Sequence, residues 1–222
     1  MDGVLFDLDG VITDTARFHF AAWRQLAQQA FGVSLPDSFE AELKGISREA
    51  SLQRIVAFAQ LDGQYTVAQL AALATQKNEN YVAAIKQLTA ADILPGIQPL
   101  LVALKARGVP MVIASASKNA PLILDRLALS AYFTAIVNPN DVHQGKPAPD
   151  IFIAAAQKIA VNPRKCVGLE DSVAGVAAIN AAGAVSVAIG HASELSAAAV
   201  VVPTTAALTA DLLEQAFEQY QH

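Results

Sequence analysis

The sequence predicts an α/β fold, in which a doubly wound parallel sheet forms the core and an all-helical cap is inserted after the first strand. From residue 109 onward, short apolar segments alternate with helical segments, and this alternation is typical of a parallel sheet. A further apolar segment at residues 4–6 is followed by helical periodicity through residue 88. We therefore expect a core domain of residues 1–14 and 89–222, with a helical cap domain of residues 15–88.

The first strand and the helices of the cap are predicted from the spacing of apolar residues. The run Val4-Leu5-Phe6 suits a strand that is buried on both faces. From Thr15 the pattern becomes helical, and Gly32 is expected to end this first helix. Residues 36–88 show further helical periodicity, with one apolar stripe formed by Leu52, Ile55, Val56 and Ala59.

The rest of the core is predicted to alternate between helices and strands. A helix with Pro95 in its first turn is expected to end at Gly108. The expected strands are residues 109–114, 135–138, 166–169, 185–189 and 200–202, and the expected helices are residues 119–129, 148–160, 173–182 and 205–220.

Length, composition and charge narrow the class of protein. A chain of 222 residues can bury a substantial core, and no apolar run reaches the 18 residues of a membrane-spanning helix. The net charge of −5 argues against a general nucleic-acid surface, which needs a basic stripe. An acidic protein can still bind an anionic small molecule where a few cations converge on one cleft. We expect small-molecule substrates, with neither nucleic acid nor membrane as a partner.

The cellular compartment is predicted from the start of the chain and from its cysteine content. Met1-Asp2-Gly3 lacks the basic start of a signal peptide. The single cysteine, Cys166, excludes an internal disulfide and fits a reducing compartment. We therefore expect a cytoplasmic protein, and we expect it to be a monomer.

The segment V-L-F-D-L-D-G places two carboxylates, Asp7 and Asp9, at the end of the first strand. Side chains two residues apart in extended chain point to the same face, so the two carboxylates are expected to lie close together. Their repulsion would be relieved by a divalent cation, and open α/β sheets carry their chemistry at this end of the strands. An acidic turn that caps the next helix is the structural alternative, although capping needs only one carboxylate.

Three other core segments place polar groups where a strand ends or a helix begins. The turn Ser115-Ala116-Ser117-Lys118-Asn119 offers hydroxyls and backbone N–H groups to an anion and is also an ordinary helix start. Lys146 stands in a rigid turn between Gly145 and Pro147 and suits a point charge on a phosphate. Glu170-Asp171 follows another strand, and with Asp7 and Asp9 it forms an oxygen-rich set that suits Mg²⁺.

The cap contains weaker candidates, each of which has a structural alternative. The segment L-K-G-I-S-R-E-A-S at residues 43–51 carries cations and hydroxyls suited to a phosphate or a sugar, but a helix capped by Ser47 explains much of it. His19 follows Asp9 closely, yet it is equally well a structural residue. Lys77 is by default a solvated helix residue.

The sequence gives little support to two other kinds of site, a nucleotide-binding loop and a serine or cysteine nucleophile. The chain has neither G-x-G-x-x-G nor G-x-x-x-x-G-K, the two common nucleotide fingerprints. Cys166 is expected inside a strand, and Ser115 and Ser117 have no evident histidine partner, so a serine or cysteine nucleophile is not indicated.

The order of these motifs resembles the haloacid dehalogenase superfamily, and the resemblance spans the whole core. It implies a haloacid dehalogenase-like, Rossmannoid sheet. In that superfamily the first aspartate is the nucleophile that becomes an aspartyl phosphate, and the second is the general acid and base. These positions correspond to Asp7 and Asp9 here. Because dehalogenase members lack the second aspartate, its presence implies phosphoryl transfer.

A narrower resemblance, which includes the cap, is to the sugar-phosphate mutases of that superfamily. It is carried by F-D-L-D-G-V-I-T-D-T-A, L-K-G-I-S-R-E-A-S-L-Q, K-N-E-N-Y-V, A-S-A-S-K-N, K-P-A-P-D-I-F-I-A-A-A and G-L-E-D-S. The implied reaction is the Mg²⁺-dependent interconversion of β-glucose 1-phosphate and glucose 6-phosphate through β-glucose 1,6-bisphosphate. The implied metal site is Asp7, Asp9, Glu170 and Asp171.

The same resemblance assigns the remaining roles. Ser115 and Lys146 would hold the phosphoryl group carried by Asp7. The implied substrate-binding set comprises Thr15, His19, Trp23, Lys44, Gly45, Ile46, Arg48, Ser51, Lys77, Ala116, Ser117, Lys118 and Asn119. Within this set, Arg48 and residues 117–119 would bind the distal phosphate.

Two competing functions differ in their chemistry. A sugar-phosphate phosphatase on the same scaffold would transfer the phosphoryl group to water rather than to a sugar hydroxyl. A sugar-phosphate sensor without catalysis would gain nothing from paired acids beside a nucleophile. Arg48 favours the mutase, because it offers a second anion site that a simple phosphatase needs less.

Overall fold

A computed structural model describes residues 1–43 and 46–220, and in this part of the chain it contains one parallel six-stranded sheet. The strands are β1 Gly3–Phe6, β2 Met111–Ile113, β3 Ala135–Ile136, β4 Cys166–Glu170, β5 Val185–Ile189 and β6 Val200–Val202. Their spatial order is β3-β2-β1-β4-β5-β6, and every pairing is parallel. The order reverses at β1, so the crevice beyond the carboxyl end of β1 is where a doubly wound sheet binds its ligand.

The helices cover both faces of this sheet and build the segment inserted after β1. They are α1 Ala16–Leu26, α2 Glu40–Leu43, α3 Arg48–Phe58, α4 Val67–Ile85, α5 Ile97–Ala106, α6 Ala120–Arg126, α7 Asp150–Lys158, α8 Val173–Ala182 and α9 Ala210–Tyr220. No described helix is long and apolar enough to cross a membrane. The predicted parallel sheet with an inserted helical segment is confirmed.

The strand β1 lies at the centre of the core, as its apolar run predicts. Its four residues are buried, and its side chains alternate between the two faces of the sheet. Val4 and Phe6 pack into the larger apolar cluster with α5 and α9, whereas Leu5 packs into the cluster beneath α7. Burial on both faces holds β1 rigidly, and so it holds the residues that follow it.

The inserted helices have an apolar cluster of their own. Phe20 and Trp23 of α1 belong to one apolar cluster with Leu52, Ile55 and Val56 of α3, which confirms three of the four residues of the predicted stripe. The fourth, Ala59, follows the end of α3 and is not part of the cluster. The far end of α4 behaves differently, because Tyr81 and Ile85 belong to the cluster of the core. The helix α4 therefore reaches from the cap into the core, and the predicted domain boundaries at residues 14 and 88 stay a prediction.

Element ends differ from the predictions in several places. Pro95 does not lie in the first turn of α5, because Gly96 at φ +84° precedes the helix and α5 starts at Ile97. The last helix starts at Ala210, after a separate 3₁₀ turn at Thr205–Ala207. The second and third strands are shorter than residues 109–114 and 135–138, since pairing is confined to the stretch where neighbouring strands overlap.

The first helix of the cap ends as predicted. After α1 the chain continues through a π-helical turn at Ala27–Phe31, and Gly32 ends it in the left-handed conformation at φ +69°. Glycine adopts this conformation without a side-chain clash, which explains why the helical pattern stops there. Ser47 also caps α3 as predicted, since its hydroxyl accepts a hydrogen bond from the N–H of Ala50.

Candidate active site

Asp7 and Asp9 lie just beyond β1 and line one cavity of about 100 Å³ between the sheet and the cap helices. Regular pairing of β1 ends at Phe6, but the backbone N–H of Asp7 still donates to the carbonyl of Leu169 on β4 at 2.9 Å. Gly10 then turns the chain at φ +75°. The two carboxylates thus face the same space, as their spacing predicts.

Lys146 is the buried cation behind Asp7. Its Nζ atom lies 2.5 Å from Oδ1 of Asp7 and 2.5 Å from Oε1 of Glu170. Burial alone lowers the pKa of Lys146, but these two carboxylates outweigh it and raise the pKa above its ordinary value. Lys146 is therefore charged at neutral pH. Burial raises the pKa of Asp7, and the adjacent ammonium opposes that rise.

Glu170 is positioned by the start of α8. Its Oε2 atom accepts hydrogen bonds from the N–H groups of Asp171 and Ser172, both at 2.8 Å, and from the Ser172 hydroxyl at 2.9 Å. Gly175 makes room for this arrangement, because a Cβ atom there would overlap the Glu170 carboxylate. The Ser172 side chain also caps α8 through the N–H of Gly175. The carboxylate is completely buried and held in one orientation.

Three carboxylates come close enough together to hold one metal ion. A ligand oxygen from each of Asp7, Glu170 and Asp171 lies within 4.8 Å of the others. Beside them, Oδ1 of Asp9 is buried and has no hydrogen-bond partner among the described atoms. Such a set of carboxylate oxygens with an unsatisfied acceptor fits a hard divalent cation. Burial raises the pKa of Asp9 to about 7, and the charge of Asp171 adds to this rise.

A second cationic group enters the cavity from the cap. Lys77 of α4 is only 1% exposed, and its Nζ atom lies 2.6 Å from Nδ1 of His19. Burial, and then the charge of Arg48, lowers the pKa of Lys77 to about 7. Burial and the neighbouring Lys77 hold the pKa of His19 well below its ordinary value, so His19 is neutral and accepts from the ammonium. Lys77 is therefore buried, and the alternative that it is an ordinary solvated helix residue is wrong.

Aromatic rings surround Lys77 and His19. The Tyr81 ring stacks on His19 with centroids 3.7 Å apart, and the Lys77 ammonium lies 4.5 Å from the centroid of the Trp23 ring. Oδ2 of Asp9 lies 3.9 Å from Nε2 of His19. The pair is therefore held between the apolar wall of the cap and the carboxylates of the core.

The turn after β2 organises its own hydroxyls. The Ser115 hydroxyl accepts from the N–H of Ser117 at 3.1 Å, and the Ser117 hydroxyl accepts from the N–H of Asn119 at 3.3 Å. Ser115 is buried, whereas Lys118 is exposed and pairs with Glu49 of the cap at 3.4 Å. The turn therefore leads into a helix, as the sequence predicts. It also presents the hydroxyls of Ser115 and Ser117 to the cavity.

Arg48 stands at the start of α3, on the cap side of the cavity. Its Nη2 atom donates to Oδ1 of Asn78 at 2.7 Å, and the same oxygen accepts from Nδ2 of Asn119 at 2.9 Å. Ser51, one turn along α3, is buried and donates to the carbonyl of Ser47 at 2.9 Å. Arg48 and Asn119 therefore meet at one point, although one belongs to the cap and the other to the core.

The structure brings most of the predicted site residues to one cavity. Its lining includes Asp7, Asp9, His19, Trp23, Ile46, Arg48, Ser51, Lys77, Ser115, Ala116, Ser117, Lys118 and Asp171. Lys146 and Glu170 lie behind Asp7, and Asn119 lies beside Asn78. Thr15 is completely buried at the start of α1. Lys44 and Gly45, also predicted, lie outside the described residues.

Other residues of the site were not predicted. Glu40 and Phe20 line the cavity, and Asn78 contacts two of the predicted residues. Nothing in the sequence marks Glu40 or Phe20. Asn78 and Tyr81 stand in the segment K-N-E-N-Y beside Lys77, so a helical projection from Lys77 would have placed Tyr81 on the same face.

The sequence and the fold have close parallels among known proteins. The haloacid dehalogenase-like hydrolase family matches residues 1–183. The chain is 44% identical to a β-phosphoglucomutase of Bacillus subtilis over 221 residues, which span 100% of this chain and 97% of the relative. It is 32% identical to the fructose-1-phosphate phosphatase YqaB of Escherichia coli over 82% of this chain and 92% of that protein.

A solved structure supports the same assignment. The β-phosphoglucomutase of Clostridium difficile matches with a TM-score of 0.97 at 39% identity, over 99% of this chain and 98% of that one. Both the sheet and the cap helices are included in a match of this extent. The chain therefore belongs to the haloacid dehalogenase-like hydrolase family and, within it, to the β-phosphoglucomutases.

Proposed function

We propose that this protein is a β-phosphoglucomutase that interconverts β-D-glucose 1-phosphate and D-glucose 6-phosphate. The reaction would proceed through an aspartyl phosphate on Asp7 and through β-glucose 1,6-bisphosphate. The observation that carries the proposal is the placement of two cationic groups at opposite ends of the site: Arg48 lines the cavity, and Lys146 contacts Asp7 from behind. Lys146 stands at the Asp7 end, and Arg48 stands on the cap side. A substrate with two phosphates needs both.

Asp7 is the proposed acceptor of the phosphoryl group. Its oxygen attacks phosphorus, and the bond between phosphorus and the sugar oxygen breaks. Lys146, held by Asp7 and Glu170, supplies positive charge where negative charge gathers. Ser115 is buried at the end of β2 and offers a hydroxyl to the transferred group. Because Lys146 is charged and fixed before the substrate binds, it needs no rearrangement during the reaction.

Asp9 is the proposed general acid and base. In one half-reaction it donates a proton to the sugar oxygen that leaves, and in the other it takes a proton from the sugar hydroxyl that attacks Asp7's phosphoryl group. Burial and the nearby Asp171 raise its pKa to about 7, so both protonation states are accessible at neutral pH. Asp9 lines the cavity beside Asp7, where the sugar oxygen has to lie.

We propose Mg²⁺ as the cofactor, held by Asp7, Asp9, Glu170 and Asp171. The proximity of the carboxylate oxygens of Asp7, Glu170 and Asp171 supports this set, and Asp9 would contribute its backbone carbonyl, so that its carboxyl stays free for proton transfer. When bound, Mg²⁺ supplies charge neutralisation for the transferred phosphoryl group. Lys146 already balances part of the negative charge of Asp7 and Glu170. This charge balance keeps the two carboxylates close together when the ion is absent.

The sugar and the distal phosphate are proposed to bind on the cap side. Arg48, Ser117, Lys118 and Asn119 would hold the distal phosphate. Thr15, His19, Trp23, Lys44, Gly45, Ile46, Ser51, Lys77 and Ala116 would complete the sugar site and the cap hinge. Because the cap helices cover the cavity, the aspartyl phosphate would be shielded from water while the bisphosphate turns over.

A sugar-phosphate phosphatase is the second candidate, and its support is the 32% identity to the Escherichia coli fructose-1-phosphate phosphatase. The two activities share Asp7, Asp9 and Lys146 and differ in the group that accepts the phosphoryl. Arg48 favours the mutase, because the bisphosphate has a second phosphate that a cap cation can bind.

One coupled assay tests the proposal against this alternative. β-Glucose 1-phosphate or α-glucose 1-phosphate is offered with Mg²⁺ and a trace of glucose 1,6-bisphosphate, and glucose 6-phosphate and free phosphate are followed together. The mutase should form glucose 6-phosphate from the β anomer with little free phosphate. Free phosphate as the main product would support the phosphatase instead, and no Mg²⁺ dependence would contradict the proposed cofactor.

We also propose that the protein acts in the cytoplasm, as a monomer, on small sugar phosphates and not on nucleic acid or membranes. The net charge of −5 supports the first exclusion. Cys166 is buried, and burial raises the pKa of its thiol to about 12, so the thiol is inert and fits a reducing compartment.

A further inference from the structure

Asn78 is the one described residue whose side chain joins two of the four proposed distal-phosphate ligands, Arg48 of the cap and Asn119 of the core. Its Oδ1 atom lies 2.7 Å from Nη2 of Arg48 and 2.9 Å from Nδ2 of Asn119. Asn78 follows Lys77 on α4, the helix that reaches from the cap into the core. No role is implied for Asn78 by the sequence motifs.

The chemistry of the three side chains settles which atoms meet. A guanidinium group only donates, so the atom of Asn78 that faces Arg48 has to be its oxygen. Asn119 contacts the same oxygen and therefore uses its amide nitrogen. One carboxamide oxygen has two lone pairs, and both are used. The orientation of the Asn78 side chain is thus fixed by Arg48 and in turn aligns Asn119.

This bridge matters because both donors have to be aimed at one phosphate. An arginine side chain loses rotamer entropy when it is ordered, which weakens ligand binding unless the ordering is already done. Asn78 orders Arg48 before the ligand arrives. The carboxamide carries no net charge, so it holds the cation without repelling a phosphate. A carboxylate at this position would hold the cation but would also repel the phosphate.

Another contact crosses the same interface, but it is weaker. Lys118 pairs with Glu49 at 3.4 Å, and the two side chains are 38% and 61% exposed. Exposed ion pairs of this kind contribute little, and salt screens them. Asn78 is half-buried, so its hydrogen bonds are less exposed to competition from water. The bridge through Asn78 is therefore the main polar connection between Arg48 and Asn119.

We propose that Asn78 is a positioning residue for the distal phosphate: it preorganises Arg48 and Asn119 into one anion site that spans cap and core. The inference rests on the proposed function, because it assumes a ligand with two phosphates. It assigns to Asn78 a role in discriminating a bisphosphate from a phosphoryl donor that has no distal phosphate. Asn78 itself takes no part in phosphoryl transfer.

The test compares Asn78→Ala, Asn78→Asp and the control Asn80→Ala. Asn80 is on the same helix, but it contacts Gln25 of α1 at 3.4 Å, away from the distal site. Calorimetry measures the dissociation constant of glucose 1,6-bisphosphate in an Asp7→Asn background, where no turnover consumes it. The rate of acetyl phosphate hydrolysis, measured with Asp7 present, reports the catalytic end alone. Thermal unfolding checks that each variant is folded.

We expect Asn78→Ala to raise the dissociation constant about tenfold, the effect of one net hydrogen bond, and Asn78→Asp to raise it further. Acetyl phosphate hydrolysis should stay within about twofold of the wild type, and Asn80→Ala should change neither quantity. If Asn78 acts through Arg48, Asn78→Ala should weaken bisphosphate binding clearly less in the Arg48→Ala variant than in the wild type.

Two results would overturn the role of Asn78. Bisphosphate affinity equal to that of Asn80→Ala would show that the bridge does not position the ligands. Equal losses in bisphosphate affinity and acetyl phosphate hydrolysis would show a general structural role. Neither result depends on mutase turnover, whereas failure of the wild type to form glucose 6-phosphate would overturn the proposed function only.

Discussion

The Nζ atom of Lys146 lies 2.5 Å from Oδ1 of Asp7, although 139 positions separate the two residues in the chain. The same ammonium lies 2.5 Å from Glu170, so one buried cation serves two buried carboxylates. Removing the shared cation leaves both carboxylates uncompensated in a low-dielectric environment. Lys146 is therefore expected to support both the fold and the reaction.

Lys146→Met should lower the free energy of unfolding by about 3–5 kcal/mol at pH 7 without Mg²⁺, because it leaves Asp7 and Glu170 unpaired. Chemical denaturation measures this change. The control is Lys158→Met, which removes an exposed lysine at the end of α7 and should change stability by less than about 1 kcal/mol. Equal stability of the two variants would contradict the proposed role of the buried cation.

Asp7→Asn should abolish turnover and aspartyl phosphate formation while the protein remains folded. The amide is a far poorer nucleophile than the carboxylate, and Lys146 keeps its contact with Glu170. Radiolabelled acetyl phosphate, followed by acid quench, detects the phosphorylated protein. Asp125→Asn on the exposed face of α6 should label like the wild type. Labelling of a folded Asp7→Asn variant would remove Asp7 from its proposed role.

Gly10→Ala should weaken Mg²⁺ binding by about tenfold or more, because a Cβ atom at this position overlaps Oδ2 of Asp171. Gly63→Ala is a matched control: both glycines have φ +75°, and Gly63 has open space around it. Both variants should lose about 1–2 kcal/mol of stability to backbone strain. Titration of Mg²⁺ against thermal unfolding separates the two effects. Equal Mg²⁺ affinity in the two variants would exclude Asp171 from the metal site.

Lys77 should make the protein less stable at pH 7 than at pH 10. Its pKa is about 7 in the folded protein and 10.5 when unperturbed, so the unfolded chain binds more protons between these values. Its contribution to the free energy of unfolding should therefore rise with pH by up to about 1.4 kcal/mol per unit and level off above pH 10.5. Arg48, His19 and Asp9 face the same ammonium.

Chemical denaturation of the wild type and Lys77→Met from pH 7 to pH 10 measures this contribution. The difference in stability between the two proteins should shift in favour of the wild type as the pH rises. The exposed Lys86 provides the control, because Lys86→Met should give a curve parallel to that of the wild type. Parallel curves for Lys77→Met as well would mean that the buried ammonium keeps its ordinary pKa.

Arg48→Ala should depress mutase turnover by about tenfold to a hundredfold, the value of one or two hydrogen bonds to a charged group. Transfer from acetyl phosphate to water should suffer much less, because that donor has no distal phosphate. The share of free phosphate among the products should rise as the cap loosens. Arg54→Ala is the control, since Arg54 is exposed on the same helix and contacts the carbonyl of Glu42. An unchanged product ratio with unchanged turnover would favour the phosphatase.

The core of the site could be predicted because strand ends are easy to recognise in a sequence. Asp7, Ser115 and Glu170 each follow an apolar segment, and parallel strands bring their carboxyl ends to one edge. Strand length was harder to predict, because pairing depends on the neighbouring strand. The predicted start of α9 at Thr205 was also wrong, because Thr205–Ala207 form a separate 3₁₀ turn. This turn packs closely against Gly96, where an added Cβ atom would overlap the carbonyl of Thr205.

The cap residues were harder to place, because helical periodicity does not specify how one helix packs on another. The local sequence around Lys77 predicts a solvated residue. Lys77 is buried because His19 and Trp23 of α1 lie against it. Asn78 is 30 positions from Arg48 and 41 from Asn119, and no local pattern links the three. The need for glycine at position 175 is likewise evident only from the structure, in which the Glu170 carboxylate occupies the space of a Cβ atom.

The sequence by itself determined the fold class, the order of its elements and the chemistry at the strand ends, because these follow from local apolar spacing and from residue type. Only the tertiary structure decided which cations are buried, which carboxylates they neutralise and which residue joins Arg48 of the cap to Asn119 of the core. Those properties depend on distances and dielectric environment between residues far apart in the chain. Lys146 between Asp7 and Glu170, and Asn78 between Arg48 and Asn119, are the two clearest cases.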